Sequence, residues 1–241
     1  MTSHVVSLNE ATDVSKFGGK AANLAILLQN KVLVPEGVVV AVTGFDSKGG
    51  LLTSCREHIQ DWLKTQPKGT KYAVRSSALN EDGQDQSWAG QFDTYLDVST
   101  GSVVAKVEDC HNTIGARAKA YGGDKNKDFK VAVIVQRMIK PDYAGVLFTQ
   151  NPVDGSNQMI IEYIKGLAEQ LVSGQVTPES CIWDRESGTL DSDVPFDAQE
   201  LIDIALAIEK IYQAPQDIEW TVQNNKFYIV QTRPITTLGE T

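Results

Sequence analysis

The 241 residues carry a net charge of −9, with 41% hydrophobic and 22% charged side chains, the balance of an ordinary soluble globular chain. That acidity argues against a nucleic-acid binder, which would show a basic patch or stripe, and no run of about 18 apolar residues offers a membrane span. Cys55, Cys110 and Cys181 form no CxxC pair, and the N-terminus lacks the basic start and apolar core of a signal peptide, so a cytoplasmic protein with reduced thiols is expected.

In chain order, residues 4–8 read as a short strand. Gly18 and Gly19 then open a helix whose apolar positions Ala21, Leu24, Ala25, Leu27 and Leu28 follow a helical repeat. Lys20 falls in its first turn, the unfavourable end for a cation unless an anion lies between it and the helix N–H groups. The triplet Gly18-Gly19-Lys20 is not the GxxxxGK[ST] phosphate loop, and no GxGxxG occurs. Val38–Val42 reads as a buried strand and Leu51–Lys64 as a helix. The strand beginning at Lys71 is expected to end in a polar loop with Arg75 at its exit, where open sheets place ligand contacts. That loop runs through Gly90, Gln91 and Thr94, and such a Ser/Gly-containing turn can lay backbone N–H groups over a phosphate or be a plain surface hairpin.

Ser102–Tyr121 fits an amphipathic helix. Lys130–Ile139, rich in β-branched residues and including Gln136 and Met138, reads as a strand buried on both faces. Strands follow at 142–150, 158–163 and 181–184, with a loop or short helix at 165–174 and a helix at Ala198–Tyr212. The sum is an α+β (mixed α/β) chain with a lobe boundary near residue 140.

The last ribbon, Asp217 to Pro234, reads as a hairpin around Asn224-Asn225. Two registers compete. A two-residue turn pairs Gln223 with Lys226 and gathers Ile218, Trp220, Val222, Phe227 and Ile229 on one face, but it sends Gln231 and Arg233 to that apolar face. A three-residue loop centred on Asn225 pairs Glu219 with Gln231 and Asp217 with Arg233. Two carboxylates, an amide oxygen and a guanidinium then share a face, a set suited to Mg²⁺ and the phosphates it carries.

Several stretches in series carry a family resemblance: Gly18-Gly19-Lys20, Val34-Pro35-Glu36-Gly37, Val74-Arg75-Ser76-Ser77, Ala89-Gly90-Gln91, Val135-Gln136-Arg137-Met138, Gly145 to Pro152, Val172 to Pro178, and Asp217-Ile218-Glu219-Trp220 with Gln231-Thr232-Arg233-Pro234. Together they resemble the N-terminal ATP-binding domain of the phosphoenolpyruvate synthase and pyruvate phosphate dikinase family, to which rifampicin phosphotransferases carry a related domain. The resemblance implies a two-lobed ATP-grasp fold with ATP and Mg²⁺ in the cleft between lobes, residues 1–140 forming one lobe and 141–241 the other. It assigns Lys20 and Arg75 to ATP phosphates and Arg233 to charge neutralisation during phosphoryl transfer. Gly90, Gln91 and Thr94 become a phosphate lid, and Gln136, Met138 and Ile139 the adenine edge. Glu162 becomes a ribose or adenine contact. Glu219 and Gln231, with Asp217 nearby, become Mg²⁺ ligands, and their twelve-residue separation favours the three-residue loop.

The sequence departs from the family in two respects. No Gly-Gly-x-Thr-Ser-His-Ala motif is present, Thr2-Ser3-His4 lacking its glycines, and the spacers between Phe45 and Tyr72 and between Val98 and Val131 are shorter than in typical relatives. The expected activity is therefore ATP-dependent phosphotransfer to a histidine on a separate phosphohistidine domain. A stand-alone kinase or ligase acting on a small molecule, and a silent nucleotide-binding regulatory module, remain open beside it.

Overall fold

The computed structural model describes residues 3–79, 94–120, 131–167 and 177–235, with residues 114–120 as backbone only. The chain divides into two compact units, residues 1–26 with 35–138 and residues 27–34 with 139–241.

The first unit holds an antiparallel sheet of order β1-β2-β5-β3-β4, made of Val5–Ser7, Gly37–Val40, Lys71–Ala78, Thr94–Ser99 and Val131–Arg137 for β1 to β5 in chain order. β5 is central and buried from Val131 to Gln136, which is why its β-branched run shows no polar alternation. One sheet face packs Val38, Val40, Tyr72, Val74, Val133 and Val135 against Cys55, Ile59 and Leu63 of α2 (Thr53–Thr65) and Val103, Val107 and Cys110 of α3 (Val103–Ala120). β3 outruns the sequence expectation. It continues to Ala78 because β5 pairs with it through Ala78↔Val131, so Arg75 stands inside the strand rather than at its exit.

α1 (Val14–Gln29) is broken at Gly18, whose φ of 76° and ψ of 167° are not helical. A Cβ at Gly18 would stand 2.5 Å from both the carbonyl carbon and Oγ of Ser77, so the position needs glycine for its conformation and for the close approach of β3.

The second unit is a six-stranded antiparallel sheet of order β11-β10-β6-β7-β8-β9. In chain order β6 to β11 are Tyr143–Phe148, Gln158–Lys165, Glu179–Asp184, Thr189–Leu190, Gln216–Gln223 and Lys226–Pro234. α4 (Ala198–Tyr212) buries Leu201, Ile202, Ala205 and Ile208, and Asp197 caps it by accepting from the Glu200 N–H at 3.1 Å. Phe196, just before that cap, meets the rings of Trp220 at 4.9 Å and Tyr163 at 5.1 Å and fixes the core side of the sheet.

The hairpin resolves its two competing registers by using each in turn. Asn224 and Asn225 take φ of 50° and 58°, the left-handed pair of a tight two-residue turn, and Gln223 pairs with Lys226, Val222 with Phe227 and Trp220 with Ile229. The register then shifts between Glu219 and Trp220, with Val230 as the extra residue, and Glu219 faces Gln231, Ile218 faces Thr232 and Asp217 faces Arg233. The bulge keeps Trp220 and Ile229 in the core while turning Gln231 and Arg233 away from it.

Candidate functional site

In the second unit, β-register places the polar residues of the hairpin on a common face. Gln231 pairs with Glu219, Glu219 with Val146, Val146 with Glu162 and Glu162 with Ser180, so these five side chains form one row across β11, β10, β6, β7 and β8. The next row on that face is Arg233, Asp217, Phe148, Ile160 and Ile182. Strand alternation directs both rows away from the α4 side. Val146, Phe148, Ile160 and Ile182 are half-buried, as are Glu162, Glu219 and Gln231. The face is thus an apolar floor with acids, an amide and one guanidinium at its β10–β11 end.

Directly opposed residues of an antiparallel pair carry their Cβ atoms about 5 Å apart, which lets the Glu219 carboxylate and the Gln231 amide oxygen serve one cation. Asp217, buried by its neighbours, accepts through Oδ2 from Arg233 Nε at 2.8 Å and lies 2.7 Å from its Nη2. This grip orients the guanidinium, whose side chain is 56% exposed. Three carboxylates (Glu162, Asp217 and Glu219) against one guanidinium leave the two rows net negative, an imbalance that a bound cation would offset. Among the described residues no three or more His, Cys, Asp or Glu side chains gather into a metal cage. Mg²⁺ does not require one, since it is held by one or two protein oxygens together with substrate phosphates and water.

The first unit brings together a second set. Lys20 Nζ donates to the Ser76 carbonyl at 3.3 Å, and the Ala21 N–H donates to Ser77 Oγ at 3.0 Å, so a hydroxyl from β3 caps the start of the helix after Gly18. One of the helix N–H groups expected to face an anion is therefore already occupied. Arg75, on the strand beside these serines, is buried at 8% exposure and pairs with Thr94 on β4 and Ile134 on β5. Gln136 shares that sheet face, and its Nε2 donates to the Pro35 carbonyl at 2.9 Å. The Arg137 and Met138 N–H groups are taken by the Glu36 and Lys71 carbonyls, each at 2.8 Å, and the Asp97 N–H points at Met138 Sδ at 2.9 Å. Ile139, the first residue of the second unit's later stretch, is buried. Gly90 and Gln91 lie outside the described residues.

Sequence reasoning missed the apolar floor and the serines under Lys20. The period-two spacing of Ile160 and Glu162, and the Ser76-Ser77 pair after Arg75, carried both signals.

A chain with these two sheets and helices is an α+β protein of the ATP-grasp type. The likeness at fold level extends to the crystal structure of PH1788 from Pyrococcus horikoshii Ot3, with a TM-score of 0.51 at 14% identity over 94% of this chain and 96% of that one. The family model for the pyruvate phosphate dikinase AMP/ATP-binding domain matches residues 49–196 and 190–241, and the chain belongs to that family. It is 30% identical to a probable phosphoenolpyruvate synthase of Archaeoglobus fulgidus, over 95% of this chain and 41% of the relative. It is also 30% identical to the rifampicin phosphotransferase of Bacillus subtilis, over 99% of this chain and 36% of the relative. The chain thus spans less than half the length of these relatives. The Archaeoglobus alignment runs over 307 residues against 241 in this chain, so within it the relative carries dozens of residues in all without a counterpart here.

Proposed function

We propose that the chain binds ATP with Mg²⁺ and acts as the ATP-cleaving part of a phosphotransfer system, passing a phosphoryl group to a histidine on a partner domain. The observation that carries this reading is the register beyond the bulge, which sets Glu219 against Gln231 and Asp217 against Arg233 on one outward face. Family membership supplies the nucleotide.

Glu219 and Gln231 would hold the metal, with Asp217 close by. The ion, when bound, neutralises phosphate charge and aligns the phosphoryl group for in-line transfer. Arg233, aimed by Asp217, stabilises the charge that builds on the moving group. Lys20 and Arg75 bind phosphate oxygens, with Gly90, Gln91 and Thr94 as the covering loop. Gln136, Met138 and Ile139 would be the adenine contacts and Glu162 a ribose contact, and the apolar floor of Val146, Phe148, Ile160 and Ile182 would exclude water. Family chemistry would cleave ATP to AMP, the β-phosphate going to the histidine and the γ-phosphoryl group passing to water and leaving as inorganic phosphate.

The test is chromatography of nucleotides after incubation with ATP and Mg²⁺, alone and with a phosphohistidine-domain protein. AMP formed only with that protein supports the proposal. ADP formed with a small acceptor alone would favour a stand-alone kinase, and binding without turnover in any condition would leave a regulatory module. Arg233→Ala is expected to abolish turnover while sparing most adenine affinity, and wild-type turnover in that variant would make the arginine structural.

A further inference from the structure

Behind the outward face, a chain of buried polar side chains ties together the strand ends that carry it. Thr149, Gln216 and Thr232 are at most 2% exposed, a costly place for polar groups unless they bond to one another. They do. The Thr149 N–H donates to the Gln216 carbonyl at 2.9 Å, and the Gln216 N–H donates to Thr149 Oγ1 at 2.8 Å. Where β6 stops at Phe148, a threonine hydroxyl thus stands in for the next ladder carbonyl. The Gln216 side chain is used at both ends: Nε2 donates to the carbonyls of Ala214 at 3.1 Å and Pro215 at 3.2 Å, and Oε1 accepts from Thr232 Oγ1 at 2.9 Å. Arg185 Nη2 reaches the Thr149 carbonyl and Glu209 Oε2, each at 2.6 Å, and so closes the chain from β8 to α4.

The location of these bonds gives them a consequence. A strand end displaced by a bulge can slip by one residue, and each slip turns every side chain to the other face. Beyond Val230, only four residues of β11 remain before its end at Pro234, and two of them are Gln231 and Arg233. The Gln216–Thr232 bond crosses the ribbon diagonally on the core side of that segment. A slip of β11 would turn Thr232 to the outward face and leave Gln216 Oε1 in the core without that partner, the same device by which a buried polar pair fixes register elsewhere.

We infer that Gln216 and Thr232, backed by Thr149, form a register lock and act as positioning residues that hold Gln231 and Arg233 on the nucleotide-binding face. The functional half of this inference rests on the proposed role of that face.

Thr232→Val keeps the shape and removes the hydroxyl, Thr232→Ser keeps the hydroxyl, and Gln216→Met with Thr232→Val removes both partners so that neither is left unpaired. Amide hydrogen exchange on the full chain is read for residues 231–235 against 218–223, and Mg·ATP affinity is read by calorimetry. Thr232→Val is expected to speed exchange at 231–235 by roughly tenfold or more and to weaken Mg·ATP by about tenfold, with Thr232→Ser close to wild type. The double variant should recover part of the thermal stability lost in Thr232→Val, since the Ala214 and Pro215 carbonyls lose their donor, yet keep the fast exchange, which separates register from folding. Unchanged exchange in both valine variants would overturn the lock. Fast exchange with undiminished Mg·ATP affinity, where Gln231→Ala does weaken binding, would overturn the positioning role. Should Gln231→Ala bind Mg·ATP as wild type does, the reading of the metal pair fails, and exchange alone then decides for or against the lock.

Discussion

Gly145 offers a stringent test of how closely the site strands are packed. It sits in β6 between β10 and β7, facing Trp220 on one side and Tyr163 on the other. A Cβ placed there would overlap the Glu162 carbonyl oxygen and stand 2.9 Å from Tyr163 Cα. Both obstacles are backbone, so a side chain cannot swing aside, and β7 itself must move. Gly145→Ala is therefore expected to cost about 3 kcal/mol, the upper part of the range for overpacking. With a urea dependence of about 2 kcal/mol/M, the unfolding midpoint of the second unit should fall by about 1.5 M. Tryptophan fluorescence follows that unit through Trp183 and Trp220 in a background where Trp62 and Trp88 of the first unit are changed to phenylalanine, and the same displacement should weaken nucleotide binding because Glu162 moves with its strand. A midpoint within about 0.3 M of wild type would refute the close packing and, with it, the placement of Glu162 in the row of Glu219.

Two further outcomes follow from particular side chains. Glu219→Gln should raise the Mg²⁺ concentration needed for half-maximal Mg·ATP binding by at least the roughly tenfold that even outer-sphere metal partners cost, and an unshifted Mg²⁺ titration would remove Glu219 from the metal. His111 stacks on Phe45 with ring centroids 3.7 Å apart, and burial lowers its pKa below 6.5 despite a hydrogen bond with the Val131 carbonyl. The unfolded chain then takes up its proton first on acidification. This contribution to stability is complete above about pH 6.5 and is lost as pH falls towards the depressed folded value. Denaturation curves at a series of pH values should show a shallower decline for His111→Gln than for wild type between about pH 6.5 and 5, and parallel curves would contradict the assignment.

Much of this fold was legible because the elements announce themselves. The β-branched run of β5, the Ala198–Tyr212 helix and the paired apolar stripes of the hairpin follow directly from periodicity. The hairpin was harder, since its two registers satisfied different residues and the solution was a bulge at Val230, which no local pattern in Tyr228-Ile229-Val230-Gln231 declares. The sequence pattern puts Arg75 at a strand end because Ser76 and Ser77 look like loop residues. In the structure Ser77 caps a helix and the Ser76 carbonyl accepts from Lys20, contacts some 56 residues apart in sequence. The apolar floor was passed over for a related reason. Phe148, Ile160 and Ile182 look like ordinary core residues until pairing shows which of them share a face with Glu162 and Glu219.

The outward face of β10 and β11 is proposed to hold a magnesium nucleotide. Crystals grown with Mn²⁺ and a non-hydrolysable ATP analogue test it directly, because manganese can be located by its anomalous scattering. The ion should lie within bonding distance of both Glu219 and Gln231, with phosphates reaching Arg233. Manganese bound elsewhere, or a nucleotide that leaves those two side chains untouched, would contradict it.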